Sequence, residues 1–169
     1  MNRAENLAER IEAGAAALVA YAESLTDAEW KLIVPKDGRP VGVVVHHVGN
    51  MYPIEVQLAQ VLAKGEAVAG LTWGDVAKVN AGHAHDHGNV SKADAIQFVK
   101  QNSKAAADAV RQITDEQLDR ANPVSLNSDA PLTCQFFIED HALRHSFHHL
   151  ARIKETVEAA RSGAGAARV

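Results

Sequence analysis

Apolar residues recur every three to four positions along most of this chain, a period that lets a helix bury one face and wet the other. Leu7, Ile11, Leu18, Tyr21 and Leu25 carry it in a first helix. A run from Val41 to Ala63 carries it in a second, with Pro40 suited to the first helical position. The valines at 41, 43, 44 and 45 favour a strand locally, but the run is far too long for one. Pro53 lies inside the run, removes a backbone donor and predicts a kink near His47. Thr26 with Glu29, Thr72 with Asp75, Ser91 with Asp94 and Thr114 with Gln117 have the form of helix starts. They predict a short helix near 73–85 and a longer one near 91–112, striped by Ile96, Val99, Ala106, Val110 and Ile113. Residues 121–131 hold two prolines and several turn-formers and read as a loop. A last helix is expected from about Leu132 to Arg161.

Long amphipathic helices without a convincing strand predict an all-α, up-and-down-type four-helix bundle with short additional helices. Residues 1–162 would form the domain and 163–169 a flexible tail. Such bundles build metal and ligand sites from side chains facing inward on different helices.

Composition then matters through one residue type. The 169 residues include nine histidines and a single cysteine. Cys134 alone can form neither an internal disulfide nor a thiolate cage, which suits a reducing cytoplasm, and it reads as a small apolar residue. A formal charge of -4 leaves no basic surplus for nucleic acid or an anionic membrane, and no stretch is apolar enough to span a bilayer. A small molecule is the expected partner, with a homodimer as a further possibility that the sequence does not locate.

The histidines fall in three groups: His46 and His47; His83, His85 and His87; His141, His145, His148 and His149. Residues four apart share a helix face, so His141 with His145 and His145 with His149 each present two imidazoles together. On a wheel, Phe136, Leu143, Phe147, Leu150 and Val157 mark the apolar face of the last helix, and Arg144, Arg152 and Glu155 the solvated one. His141 and His148 fall towards solvent, whereas His145 and His149 border the apolar face beside Ile153. In the second helix His47 falls among Val44, Met51, Ile54, Leu58 and Leu62, with His46 turned about 100° away. A polar ring facing a core needs a partner, and a metal shared with the last helix would supply it. His47, His145 and His149 are therefore the candidate ligands. The segment HAHDHG, which holds His83, His85 and His87, is a rival site whose alternate histidines and Asp86 could chelate an ion, but beside Gly82 and Gly88 at a helix end it reads as a solvated turn.

The order of VGVVVHHVGNMY, WGDVAKVNAGHA, SKADAIQFVKQN and DHALRHSFHHLARI resembles the DinB-like (DinB/YfiT) superfamily of metalloenzymes over residues 5–160. The resemblance implies a divalent metal held by a histidine of the second helix and an H-x-x-x-H pair of the last, which are His47, His145 and His149 here. Three neutral histidines leave a coordination position open, the pattern of a catalytic site, and both zinc and nickel suit imidazole. HSFHH lacks the glutamate of H-E-x-x-H, so peptide hydrolysis loses support. Glu55, Glu139 and Asp140 are candidate outer carboxylates. Family members include metal-dependent transferases and isomerases that use low-molecular-weight thiols. The resemblance thus implies thiol transfer to a small electrophile, with the sulfur supplied by the cofactor. Hydrolysis by an ionised water, or metal binding without catalysis, are the alternatives.

Overall fold

The computed structural model describes residues 3–166, with side chains through residue 163. Four long helical segments form the bundle: α1 (Arg3–Ser24), α3 (Val41–Ala63), α5 (Lys92–Arg111) and a last segment made of α7 (Cys134–Ile138), a π-helical stretch (Glu139–Leu143) and α8 (Arg144–Ala166). Short helices α2 (Asp27–Trp30), α4 (Trp73–Asp86) and α6 (Asp115–Asp119) lie between them. Among the described residues, no helix is long and apolar enough to cross a membrane.

The predicted caps form. Thr26, Thr72 and Thr114 each accept from the backbone N–H three residues on, while Glu29, Asp75 and Gln117 reach back to the cap N–H. Ser91 accepts from the backbone N–H of Asp94 and opens α5. Leu7, Ile11 and Leu18 of α1 meet Val44, Val48 and Tyr52 of α3, Val99 and Val110 of α5, and Phe137, Ile138 and Ile153 of the last segment in one continuous core. α1 and α3 each pack on both α5 and α8, so these two, the first and second of the long helices, face each other across the bundle.

α3 runs unbroken through Pro53. The proline has no N–H for the carbonyl of Gly49 one turn back. Asn102 of α5 donates its Nδ2 to that oxygen at 2.9 Å instead. Gly49 permits the close approach, since a Cβ there would lie 3.1 Å from the backbone nitrogen of Val99.

Three expectations change. Residues 121–131 are not a plain loop: β3 (Ala121–Val124) and β4 (Ala130–Thr133) form an antiparallel hairpin with Pro123 opposite Pro131. Proline is tolerated in such a short ribbon because it lacks only the N–H, and the carbonyl of Pro123 still accepts from the Val68 N–H at 3.0 Å. Ser128 and Asp129 take positive φ to turn the tip. A second hairpin, β1 (Ile33–Val34) with β2 (Arg39–Pro40), precedes α3, where the sequence shows only Pro40 as a helix start. At two to four residues, these strands are too short to show an alternating pattern.

The last helix starts at Cys134 rather than Leu132, and its α-helical register is interrupted by the π stretch. A π turn adds about one residue, which rotates the following face by about 100° relative to a continuous wheel. Phe136 and Phe147, expected on the buried face, are 48% and 45% exposed. Cys134, Phe137, Ser146, His149 and Ile153 are buried in their place. α8 continues to Ala166, past the expected boundary at 162. The rest of the expected tail, 167–169, lies outside the described residues.

Candidate metal centre

Three helical positions converge beside the bundle core. His47 of α3 and His145 and His149 of α8 place one ring nitrogen each within 4.8 Å of one another. The Nε2 atoms of His145 and His47 are 3.3 Å apart. A tetrahedral ion with nitrogen ligands at 2.0–2.1 Å has ligand edges of about 3.3 Å, so this pair already has the spacing a metal requires. His47 and His149 are buried, and their Nδ1 atoms have no hydrogen-bond partner among the described residues. Burial first, and then neighbouring cations and imidazoles, push the His47 ring down to about 2 and depress His149 in the same direction. Both rings are neutral at physiological pH, the form in which imidazole binds metal.

Glu55 lies two turns beyond His47 on α3, and its Oε1 is 2.6 Å from His145 Nδ1. With Nδ1–H donating to the carboxylate, the tautomer is fixed and Nε2 keeps its lone pair for the cluster. Of the three candidate outer carboxylates Glu55 is therefore the one engaged. Glu139 pairs with Arg10, and Asp140 pairs with Arg144 at the pocket edge. Removing an outer carboxylate typically costs 10–100-fold in metal affinity. Glu55→Ala should weaken metal binding by about that factor with all three histidines present, as read by competition with a chromophoric chelator. Unchanged affinity would show that the contact does not support the cluster.

The β1–β2 turn supplies groups that the sequence reading passed over. The side chain of Asp37 is 5% exposed, with Oδ1 3.7 Å from His149 Nδ1, 3.3 Å from Arg152 and 3.2 Å from Arg39. In the sequence it looks like ordinary turn chemistry, and only the hairpin brings it over α8.

The cluster lines a cavity of about 600 Å³. Met51, Leu58, Trp73, Val76, Leu126 and Phe137 give its walls an apolar character. Three of the residues expected in the core around His47, namely Met51, Ile54 and Leu58, belong to this wall instead. Trp73 Nε1 donates to the carbonyl of Leu126 at 3.0 Å, fastening α4 to the tip of the β3–β4 hairpin. His141 and His148, expected at the surface, also line the cavity. The His141 ring stacks on Phe137 with centroids 4.2 Å apart, burial depresses its pKa, and its Nε2 is buried without a partner among the described residues.

His83 and His87 also depart from expectation. They are not in a solvated turn: His83 is buried at the end of α4, His87 caps that helix, and both approach His46. His85 is the exposed member of the group. The i, i+4 rule that selected His145 and His149 would have selected His83 and His87 had the segment been taken as helical.

A helical bundle with a buried three-histidine cluster opening on a side cavity defines a class of protein built to hold a metal near a small-molecule pocket. Within that class the chain belongs to the DinB superfamily, whose profile matches residues 10–153. Among solved structures it is similar to YfiT from Bacillus subtilis, described as a probable metal-dependent hydrolase with an unusual four-helix bundle topology. The two share 17% sequence identity at a TM-score of 0.73, over 95% of this chain and 88% of the other, a likeness of fold. No curated protein matches the chain.

Proposed function

We propose that this protein is an enzyme in which His47, His145 and His149 hold a divalent ion, zinc or nickel, and that it transfers a low-molecular-weight thiol to a small electrophile or isomerises a substrate with it. The observation that carries this reading is the convergence of three imidazoles on the wall of a largely apolar cavity of about 600 Å³. That volume suits a small molecule with an apolar body and one polar end. A divalent ion bound there supplies Lewis acidity to a carbonyl oxygen or a sulfur.

The chain's own groups set the remaining chemistry. Cys134 is fully buried, its Sγ donates to the carbonyl of Ala59 at 3.3 Å, and burial pushes its thiol up to about 11. It is unsuited to be the nucleophile, so a reactive sulfur has to enter from solution. Glu55 keeps His145 in one tautomer, and Asp37 and Arg39 add charged groups to the cavity wall. His141, neutral and with a free Nε2, is the group able to accept the proton that a thiol gives up.

Hydrolysis is the second reading, favoured by the description of YfiT. Untagged protein with a measured metal content, assayed with glutathione, bacillithiol or mycothiol and a model electrophile and separately with simple esters and amides, distinguishes the two. Metal-dependent thiol conjugation or thiol-dependent isomerisation supports the first reading. Metal-dependent ester or amide cleavage without thiol turnover replaces it with the second. Turnover in none of these assays by fully loaded protein overturns both and leaves a metal-binding bundle.

A further inference from the structure

His46 and His47 are consecutive on α3, about 100° apart around the helix axis, so each addresses a different neighbour. His47 meets the H-x-x-x-H pair His145 and His149 on α8. His46 meets another pair with the same spacing, His83 and His87, at the end of α4. One ring nitrogen from each of His46, His83 and His87 lies within 4.8 Å of the others, as in the first cluster. Ring centroids are 5.0 Å apart for His46 and His83, 4.2 Å for His46 and His87, and 4.8 Å for His83 and His87.

A core histidine usually has its hydrogen-bonding needs met by a carbonyl or a carboxylate. Here the recorded polar contact of His83 is another imidazole, His46 Nδ1 at 2.8 Å from His83 Nε2, and His83 Nδ1 is buried without a partner among the described residues. Phe98 stacks on His46 at 4.4 Å and 11° and fixes the plane of that ring. α4 adds a second, independent argument. Its single buried residue is His83, so little apolar area holds this helix against the bundle. Yet Trp73, Val76, Val79 and Asn80 of α4 form one wall of the cavity.

We propose that His46, His83 and His87 form a second metal site, for a divalent first-row ion that favours imidazole, and that this ion clamps α4 onto α3. The ring edge of His47 faces His83 with centroids 5.6 Å apart, so the two clusters are neighbours. Loading of the second site therefore orders a wall of the cavity next to the first. His87 is the half-buried member of the set and leaves a route for the ion from solvent. Binding replaces the hydrogen bond between His46 and His83. The proton on the shared edge moves to the outer nitrogen of its own ring, so the neutral imidazoles bind without net proton loss. The site stands on its own geometry and does not depend on the reaction proposed for the first cluster.

Untagged, metal-stripped protein titrated with Zn2+ and analysed by equilibrium dialysis and elemental analysis should bind two ions per chain. His87→Ala, which spares the buried positions, should bind one, as should His83→Ala if it folds. The double variant His145→Ala/His149→Ala should keep one ion, and hydrogen exchange in α4 should slow when that protein is loaded. His85→Ala, at the exposed member of the segment, should retain both. Undiminished binding in His87→Ala, or no ion and no change in α4 exchange in His145→Ala/His149→Ala, would overturn the second site. Loss of one ion from the double variant with none lost from His87→Ala would leave the first cluster intact and remove only this one.

Discussion

Alanine at His47, His145 or His149 is expected to abolish high-affinity binding of one divalent ion per chain while leaving the bundle folded. The three donors share a single cluster, so removing any of them leaves two imidazoles and a larger opening to water. The loss should exceed the 10–100-fold typical of an outer partner, because a direct bond to the ion disappears. The three variants should behave alike although His145 is more exposed than the other two. Far-UV circular dichroism checks the fold, and metal content after dialysis against a weak chelator gives the result. Full retention of that ion in all three would dismiss the cluster as a metal site. His141→Ala and His148→Ala should leave metal content unchanged, since these rings line the cavity outside the cluster.

The second large effect is on stability in mild acid. His46 and His83 are held down to about 4 and His47 to about 2, with burial the leading cause for each, and His149 is depressed as well. The unfolded chain protonates these rings near the ordinary value of about 6.5, whereas the folded chain does not. Stability from this source is therefore complete above about pH 6.5 and falls as the pH drops towards the folded values. Each such histidine contributes up to about 1.4 kcal/mol per pH unit within that window. Four together should remove several kcal/mol between pH 7 and 5, a large part of the 5–15 kcal/mol that holds an ordinary domain. The urea midpoint of metal-free protein should drop steeply over that interval, where most carboxylates are still ionised in both states. A midpoint independent of pH from 7 to 5 would contradict the burial of neutral imidazoles. Bound metal should oppose the fall, because it occupies nitrogens that the unfolded chain would protonate.

Sequence alone carried the bundle and its helix starts because capping and helical periodicity act over three or four residues. Thr26, Thr72 and Thr114 were legible for that reason, as was the pairing of His145 with His149 on one face. What failed had long-range causes. A wheel assumes one uninterrupted register, which the π stretch Glu139–Leu143 breaks, and His141 lines the cavity while Phe136 is exposed. Hydropathy scores Ser146 and His149 as polar, so the buried face of α8 was drawn towards Phe147.

The sequence by itself determined the helices, their starts and the imidazole supply, since all three depend on residue type and local spacing. Which imidazoles meet was decided by the tertiary structure. α3 turns His46 and His47 towards different helices, α4 brings His83 and His87 to His46, and the β1–β2 turn delivers Asp37 to the His47 cluster beside His149. Asp37 and His149 are 112 positions apart in the chain but have polar atoms 3.7 Å apart in the fold. Their approach is a product of helix packing and chain reversal, and neither acts over the few residues that a local pattern can report.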